Sequence, residues 1–572
     1  MTNAIVHREI LKNKVSMEST STSVAMSTSD GFSSHDDISQ WTKNTDAKNF
    51  CVNLMTAIYT LILIMVAFVI EISPTWRSEK MWLEYSIFCV LMYAVAVAYF
   101  LYLYLFVLYP NVINSCIYYL FKKATPRRWL LDEPVFNGEG AGTMYLRVGA
   151  LFFGSMGSVL WGTEILLCFF DNQRHGIYVV KYILAVIFTF MQMHFIFSNS
   201  KISLKRSNII AKFGLMHSVA VNLWNWLSIC LIKSSIKHAK KEIKYTYEGS
   251  DNETKTEILT EMSYDFTTDS FGPHDKQLRA IIKLGSSSSI LLTCLVEFSL
   301  IAAVICFIIW KNDDSNSGEA LKKKKKRHFR FDCSGTTVGI FLAVAVHIIS
   351  AVAVGMHGIL SKSNRDSAAN LLVGYTDVFL FVVALLACIL AFFQMRKLQY
   401  RLHAHGEVID EILLIVGLAG ECVYSCAGMD LYINDKMIKE PASYITIVSF
   451  TLRITEVLVQ TIFILIATRM RCYTQTNCYT EPGKQVITFL LVCNINLFIY
   501  HTFETTELNF GFPIKLPDSY SAMLNIASPI VVFYRFHSSA CLAEIWKHTY
   551  SRKNHNVVTD NTVDPLVVVK KM

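Results

Sequence analysis

The feature that most constrains this chain is a series of twelve stretches that are mainly apolar over about 20 residues each. A stretch of that length can cross the hydrocarbon core of a bilayer as one helix. Helices are expected because lipid cannot satisfy exposed backbone groups, and strand-like alternation is absent. The sequence therefore predicts an all-α polytopic membrane protein with twelve transmembrane helices, numbered here as spans 1 to 12. The spans begin near Cys51, Leu83, Val148, Tyr178, Ile209, Ile290, Thr336, Leu371, Val408, Tyr444, Gln485 and Ala522.

Composition agrees with a membrane protein. Hydrophobic residues make up 53% of the chain and charged residues only 17%, whereas about 25% of a typical soluble domain is charged. The segment before span 1 is rich in Ser and Thr and lacks the apolar region of a signal peptide. We expect this N-terminal segment, 1–49, and the C-terminal tail, 548–572, to be disordered and cytoplasmic.

The distribution of Lys and Arg between the short loops predicts the orientation of the spans. Loops after spans 2, 4, 6, 8 and 10 contain 20 basic residues, and those after spans 1, 3, 7, 9 and 11 contain 8. Basic loops favour the cytoplasmic side, so both termini are predicted to be cytoplasmic. The long loop after span 5 holds an N-glycosylation sequon at Asn252, which this orientation places outside. Asn252 is therefore a candidate glycosylation site.

Corresponding spans of the two halves share short motifs. Spans 4 and 10 contain "QMHFIF" and "QTIFIL", spans 5 and 11 contain "NLW" and "NLF", and spans 6 and 12 end with "IIWK" and "EIWK". Because six is an even number, a duplicated half keeps its orientation, as in the parallel repeats of some transporters. We therefore predict two homologous six-helix halves, 50–310 and 336–547. An extracellular loop at 233–289 belongs to the first half, and the Lys-rich segment 311–335 is the cytoplasmic linker.

Ionisable and amide side chains interrupt the apolar spans in both halves. A charge at membrane depth costs at least about 2.5 kcal/mol on insertion scales unless it is paired or protonated. A lone polar residue in a span often only hydrogen-bonds to another helix, so a structural role is an equal alternative for any single acid or His. Carboxylates and imidazoles that are spread over many helices at several depths are more typical of a proton relay than of one site for a bulky solute. The candidates are Glu164, Gln192, His217, Asn222 and Glu297 in the first half, and Asp377, Glu456, Gln460, Asn494, Arg535 and His537 in the second half.

Motifs of several other membrane-protein classes are absent from the sequence. It contains no GxxxxGK[ST] phosphate loop, no TVGYG filter and no HExxH zinc site. Few prolines interrupt the spans, and Pro529 in span 12 is the main exception. The broken helices that mark a solute site in many transporters are therefore not evident.

Seven segments in chain order resemble the otopetrins, a family of proton-selective channels. They are "FGSMGSVLWGTEI" (153–165), "FTFMQMHFIF" (188–197), "KFGLMHSVAVNLWNWL" (212–227), "CLVEFSLIAAVI" (294–305), "DEILLIVGLAG" (410–420), "EVLVQTIFI" (456–464) and "SPIVVFYRFHSSACLAEIWK" (528–547). The resemblance covers nearly all of residues 51–547. Within the family, the chain is most similar to invertebrate otopetrin-like members.

The resemblance implies a fold and a function. Otopetrins have twelve helices in two six-helix halves and form homodimers around a lipid-filled centre. They conduct protons down their gradient in the plasma membrane and are opened by extracellular acid, and zinc blocks many of them from outside. We expect protons and membrane lipids, including sterol, as partners, and no cofactor, resident metal, nucleic acid or enzymatic activity. External zinc ligands could come from His175, His238 or His274, which have no recognisable ligand spacing.

The resemblance also assigns residues and exposes departures. Glu297 takes the place of the family's span-6 glutamate, and His537 and Arg535 belong to the "FYRFHS" block. The other candidates match polar positions of the family's helical barrels and of the interface between halves. Phe298 stands where Tyr is common, Glu421 where an apolar residue is expected, and His501 where an acid or amide is common.

A proton channel is the leading functional hypothesis. The main alternative is a proton-coupled solute transporter, which also uses buried acids and imidazoles but needs a co-substrate. An integral membrane enzyme is disfavoured because no compact nucleophile–base spacing stands out. A non-conducting scaffold does not explain the retained ionisable set.

Overall fold

A computed structural model of the chain divides into two units, Met1–Leu54 and Met55–Met572. The described part of the first unit is the start of one helix, Thr45–Leu54, and everything below concerns the second unit. Asn252, His175, His274 and the Lys-rich linker lie outside the described residues, as do most of the two predicted disordered ends. The structure describes residues 45–73, 76, 81–121, 131, 143–170, 176–199, 202, 209–248, 286–311, 336–363, 365–400, 408–434, 441–472, 474–506, 510 and 518–550.

Twelve helices in the described residues are long and apolar enough to cross a membrane, which confirms the predicted all-α polytopic fold. Helix α2 continues as a π-helix over Leu103–Leu108, and short helices form at Pro110–Phe121 and Gln475–Thr480. The helices are α1 (Thr45–Ile72), α2 (Trp82–Tyr102), α3 (Met144–Phe170), α4 (Gly176–Asn199), α5 (Ile209–Glu248), α6 (Ser286–Lys311), α7 (Thr337–Lys362), α8 (Asp366–Met395), α9 (Val408–Asn434), α10 (Pro441–Ala467), α11 (Lys484–Thr506) and α12 (Asp518–Thr549).

Helices α2 to α6 pack as a closed ring of neighbours. Going round the ring, α2 contacts α4, α4 contacts α3, α3 contacts α6, α6 contacts α5, and α5 contacts α2 again. Helix α1 lies against this group, because Thr56 accepts a hydrogen bond from Trp310 of α6 and Tyr59 bonds His217 of α5. We call α2 to α6 the N-terminal ring.

Helices α8 to α12 repeat the same order of neighbours. Helix α8 contacts α10, α10 contacts α9, α9 contacts α12, α12 contacts α11, and α11 contacts α8. Helix α7 packs against α8 and α11 from outside this C-terminal ring. Helix α1 likewise lies outside the N-terminal ring, bonded to α5 and α6. Each helix of the N-terminal ring therefore corresponds to the helix of the C-terminal ring whose number is six higher.

Burial follows the same period of six helices. In α6 and α12, 83% of the apolar window is buried, whereas in α1 and α7 the values are 28% and 22%. The two most covered helices are also the ones through which the halves touch, since α12 packs on α3, α5 and α6. The least covered helices present large apolar side chains outward, as expected for lipid contact.

Glycines set the distance between helices at equivalent places in the two rings. An added Cβ on Gly154 of α3 would lie 2.9 Å from the ring of Phe298 on α6. One on Gly417 of α9 would lie 3.0 Å from Cβ of Tyr534 on α12. Only a residue without a side chain allows such close approach, so Phe298 and Tyr534 occupy corresponding positions.

Strands in the described residues are limited to β1 (Gln399–Tyr400) and β2 (Met470–Arg471), which pair antiparallel. They join the connections that follow α8 and α10. Arg469, beside β2, donates to Glu411 at the start of α9 at 2.7 Å. This bond to the Glu411 carboxylate, helped by the Tyr400 hydroxyl, raises the pKa of the Arg469 guanidinium above its ordinary range. The pair ties the two connections that follow α8 and α10 to the start of α9 at one end of the C-terminal ring.

Candidate functional site

Glu297 is fully buried in α6, inside the N-terminal ring. Among the described residues, neither of its carboxylate oxygens has a hydrogen-bond partner. The cation that acts on it electrostatically is Lys233 of α5, whose ammonium group donates to Thr293 at 2.9 Å. A buried carboxylate without hydrogen bonds is costly, so Glu297 must carry a proton or draw its compensation from Lys233.

Glu164 of α3 lies beside a small cavity in the same ring. The cavity measures about 30 Å³ and is lined by Glu164, Lys181, Tyr93, Asn225 and Ser228, together with apolar side chains. Because one water molecule needs about 10–15 Å³ of such space, roughly two can fit. The lining offers a carboxylate, an ammonium group, an amide and two hydroxyls, which suits water and protons better than an apolar ligand.

Gln192 of α4 and Asn222 of α5 lie in the interior of the N-terminal ring and are fully buried. Gln192 donates to the thiol of Cys306 at 3.5 Å, and Asn222 donates to the backbone carbonyl of Ser218 at 2.7 Å. Within the described part of the chain, the amide oxygens Oε1 of Gln192 and Oδ1 of Asn222 have no hydrogen-bond partner. Both oxygens can therefore still accept a hydrogen bond.

The corresponding amides of the C-terminal ring bind each other. Gln460 Nε2 donates to Asn494 Oδ1 at 3.0 Å, and Asn494 Nδ2 donates to Gln460 Oε1 at 2.7 Å. The Tyr534 hydroxyl lies 3.4 Å from Gln460 Nε2 and 2.9 Å from the Thr461 hydroxyl, and it donates to the carbonyl of Val457. This arrangement of Gln460, Thr461, Asn494 and Tyr534 is called the hydroxyl–amide latch below.

Local bonding also corrects one sequence match between the halves. The "NLW" and "NLF" motifs pair Asn222 with Asn496, but Asn496 accepts from His347 and Ser350 of α7, outside the ring. Asn494 instead donates to the backbone carbonyl four residues earlier, as Asn222 does. Asn222 and Asn494 are therefore the equivalent pair, two residues away from the motif alignment.

A network of charged side chains fills part of the C-terminal ring. Arg453 of α10 donates to Glu421 at 2.8 Å and to Glu504 at 3.0 Å. Arg535 of α12 lies 3.1 Å from the other oxygen of Glu421 and donates to Glu456 at 2.8 Å. Glu421 thus bridges both guanidinium groups, and the charge network, Glu421, Arg453, Glu456, Glu504 and Arg535, connects four helices.

Further groups border the charge network. Tyr424 donates to Glu504 at 3.2 Å, and His501 lies 3.8 Å from the same carboxylate. Asp377 of α8 acts electrostatically on Glu504 and Arg453. With Asp377 included, four carboxylates face two guanidinium groups. Full ionisation would leave a net charge of −2 in a buried space, and binding a proton at one of these carboxylates would reduce that electrostatic cost.

The two candidate histidines lie away from these groups. His217 of α5 bonds the Tyr59 hydroxyl at 2.9 Å and lies 3.0 Å from the carbonyl of Met92, where α1, α2 and α5 meet. His537 of α12 lies 3.0 Å from the carbonyl of Asp410 and stacks on Phe533. Each imidazole therefore lies at a contact between helices, and its closest oxygen partners there are hydroxyl or backbone carbonyl groups rather than the acids of a ring.

The structure brings most sequence-predicted residues together in two groups. The N-terminal ring contains Glu164, Gln192, Asn222 and Glu297, and the C-terminal ring contains Asp377, Glu456, Gln460, Asn494 and Arg535. Sequence reasoning missed Arg453 and Lys233. The signal for Arg453 was an arginine in the middle of the apolar "SFTLRITEVLV", which is rare in a span without a buried partner.

The sequence profile of the otopetrin family matches residues 145–536. The chain belongs to the otopetrin family. The otopetrin match contains every candidate residue from Glu164 to Arg535, and His537 lies one residue beyond its end.

Individual otopetrins match over similar segments. The proton channel OtopLc of Drosophila melanogaster is 26% identical over 460 residues, which cover 72% of this chain and 28% of OtopLc. The proton channel OTOP1 of Danio rerio is 20% identical, covering 65% of this chain and 72% of the relative. The proton channel OTOP2 of Mus musculus is 22% identical, covering 73% and 84%. The match therefore spans little more than a quarter of OtopLc but most of the two vertebrate otopetrins.

Proposed function

We propose that this otopetrin is a proton channel that conducts H⁺ down its electrochemical gradient. Its family and three similar proteins, all of them proton channels, support the proposal. The described residues add titratable groups inside two helical rings and a water-sized cavity beside Glu164. Proton transfer needs only groups that bind and release H⁺, so no cofactor, resident metal or nucleic acid enters the proposal, and we do not propose an enzyme.

The single observation that carries the proposal is Glu297. A carboxylate at this depth has no hydrogen bond among the described residues, yet Lys233 acts on it from the next helix. The group can be neutral when protonated and compensated by Lys233 when ionised. Because both forms are supported, Glu297 can accept a proton from one side and release it to the other.

Finer features follow the expectations from sequence. We propose that extracellular acid opens the channel, that it lies in the plasma membrane with both termini cytoplasmic, and that it forms a homodimer with lipids, including sterol, at its centre. Asn252 is then extracellular and open to glycosylation. The loop charges and the sequon support this orientation.

Proton-coupled solute transport is the weaker candidate. The cavity beside Glu164 has room for roughly two water molecules, which is too small for an organic solute. A transporter also requires a co-substrate before protons move, whereas a channel does not.

Whole-cell recording in a heterologous cell tests the function. With small permeant cations replaced by a large organic cation, a step to acid outside should produce an inward current without added solute. Its reversal potential should shift by about 59 mV per pH unit, the voltage equivalent of a tenfold proton ratio. Surface expression without current at any external pH, or current that needs a solute, contradicts the proposal.

The role of Glu297 is tested by Glu297→Gln, which keeps the shape of the side chain but cannot exchange a proton. We expect at least about a tenfold loss of current at unchanged surface expression, since a single relay group commonly contributes that much or more. Glu84→Gln is the matched control, because Glu84 is exposed at the start of α2. An unchanged current in Glu297→Gln would remove Glu297 from the path.

A further inference from the structure

The two rings share a helix order but differ in their polar interiors. At the position of Tyr534 the N-terminal ring has Phe298. After the glutamine that both rings contain, Gln192 and Gln460, it has Met193 in place of Thr461. The geometry supports this pairing, because one added Cβ on Gly154 would touch both Met193 and Phe298. The N-terminal ring thus lacks both hydroxyl groups that close the latch in the C-terminal ring.

The missing hydroxyls leave the amides of the N-terminal ring in a different state. Gln460 and Asn494 bind each other reciprocally, so each amide oxygen is occupied. In the described residues, the oxygens of Gln192 and Asn222 have no such partner. A reciprocal pair already fills one acceptor position on each amide oxygen, whereas the oxygens of Gln192 and Asn222 keep both acceptor positions open for water.

The charged groups show the same contrast. Glu421 and Glu456 are held by guanidinium groups at 2.8–3.1 Å, and protonating either one would remove one of the two carboxylate partners of the buried Arg535. Glu297 makes no hydrogen bond among the described residues, and Lys233 lies near enough to act on it. A relay group must change its protonation state at low cost, and Glu297 meets that requirement better than the acids of the charge network.

Water-sized space adds an independent observation. The cavity that includes Glu164 lies in the N-terminal ring, between α2, α3, α4, α5 and α6. It brings a carboxylate and the ammonium group of Lys181 to one water-sized space. A proton that enters the N-terminal ring therefore has this polar cavity, the carboxylate of Glu297 and the open amide acceptors of Gln192 and Asn222 available within the same ring.

We infer that protons cross this otopetrin through the N-terminal ring, and that the hydroxyl–amide latch and the charge network hold the C-terminal ring shut. The inference rests on the proposed function, because it names the path of the same current. The C-terminal ring then serves as a rigid partner that supports α12, the helix that contacts α3, α5 and α6.

Exchanging the latch between rings tests the inference. Met193→Thr with Phe298→Tyr installs both hydroxyls in the N-terminal ring. We expect the proton current to fall by about fivefold or more, the population shift that one additional hydrogen bond brings. Thr461→Met with Tyr534→Phe removes the latch from the C-terminal ring, and the current should remain at or above that of the natural chain.

Two controls keep the test sharp. Phe298→Leu removes the aromatic ring without adding a hydroxyl, and its current should be retained. If Phe298→Leu loses as much current as the latch variant, bulk rather than hydrogen bonding is responsible and the latch argument is overturned. Surface biotinylation of every variant separates loss of conduction from loss of protein.

The outcomes for the two rings separate the inference from the function. If the natural chain reaches the surface and carries no proton current, the proposed function fails. If it carries current that survives Glu297→Gln and the installed latch but is abolished by Glu456→Gln, the function stands and the inference is wrong. Loss with Glu297→Gln at unchanged surface expression, together with current retained within about twofold in Thr461→Met with Tyr534→Phe, supports the N-terminal path.

Discussion

Arg453 offers the strongest test of how the buried charge network contributes to stability. The substitution Arg453→Met keeps a long side chain but removes the guanidinium group. It breaks the contact with Glu421 at 2.8 Å and the contacts with both oxygens of Glu504 at 3.0 and 3.2 Å. All of these groups are buried, so solvent cannot replace the lost partner.

The magnitude follows from what each carboxylate keeps. Glu421 retains Arg535 at 3.1 Å, whereas Glu504 keeps only Tyr424 and, at 3.8 Å, His501 among its closest described polar partners. Removing one partner of a buried ion pair typically costs about 3–5 kcal/mol. Because Glu421 stays paired, we expect the lower part of that range, about 3–4 kcal/mol of unfolding free energy.

A double substitution isolates the cause. Glu504→Gln in the Arg453→Met background removes the stranded charge, so about 1–3 kcal/mol should be recovered through the coupling of the two sites. Both variants are measured by denaturant titration in mixed micelles, followed by tryptophan fluorescence, with size-exclusion profiles as a check on folding. A loss below about 1 kcal/mol for Arg453→Met, or a double variant less stable than the single one, would refute an energetically important charge network.

Two further predictions concern packing and orientation. Gly214→Ala should destabilise the protein by about 1–3 kcal/mol or more, because the new Cβ would lie 1.7 Å from the ring of buried Tyr99. Gly162→Ala, whose new Cβ would have nothing within 4 Å, should be neutral or stabilising. Equal effects of the two substitutions in the same unfolding assay would contradict the close approach of Gly214 to Tyr99. Asn252→Gln should abolish the mobility shift that glycosidase treatment produces in the natural chain; a natural chain that shows no such shift when expressed in glycosylating cells would count against an extracellular Asn252.

Hydropathy made the fold predictable. Each span is an apolar segment of sufficient length, and the bilayer leaves few alternatives to a helix, so twelve helices follow from local sequence. The order of neighbours in each ring does not follow from local sequence, because packing between apolar helices in lipid depends on small residues and close contact rather than on hydrophobicity. Gly154 and Gly417 decide those contacts, and a single sequence does not reveal which helix each glycine faces.

The candidate site was predictable residue by residue but not as an arrangement. Buried acids and amides stand out in apolar runs, which is how Glu297 and Gln460 were found. Glu421 was predicted only as a departure from the family, yet it bridges Arg453 and Arg535. Its role depends on side chains from two other helices, and pairings across helices leave no periodic signal in the sequence.

The repeated order of helices gives the molecule a property of its own. Each position in one ring has a counterpart on the same frame in the other, so Phe298 and Tyr534 sit against equivalent glycines while differing by one hydroxyl. A duplicated scaffold can carry different chemistry in its two copies. Under the proposed path, one half conducts protons and the other half supports it mechanically.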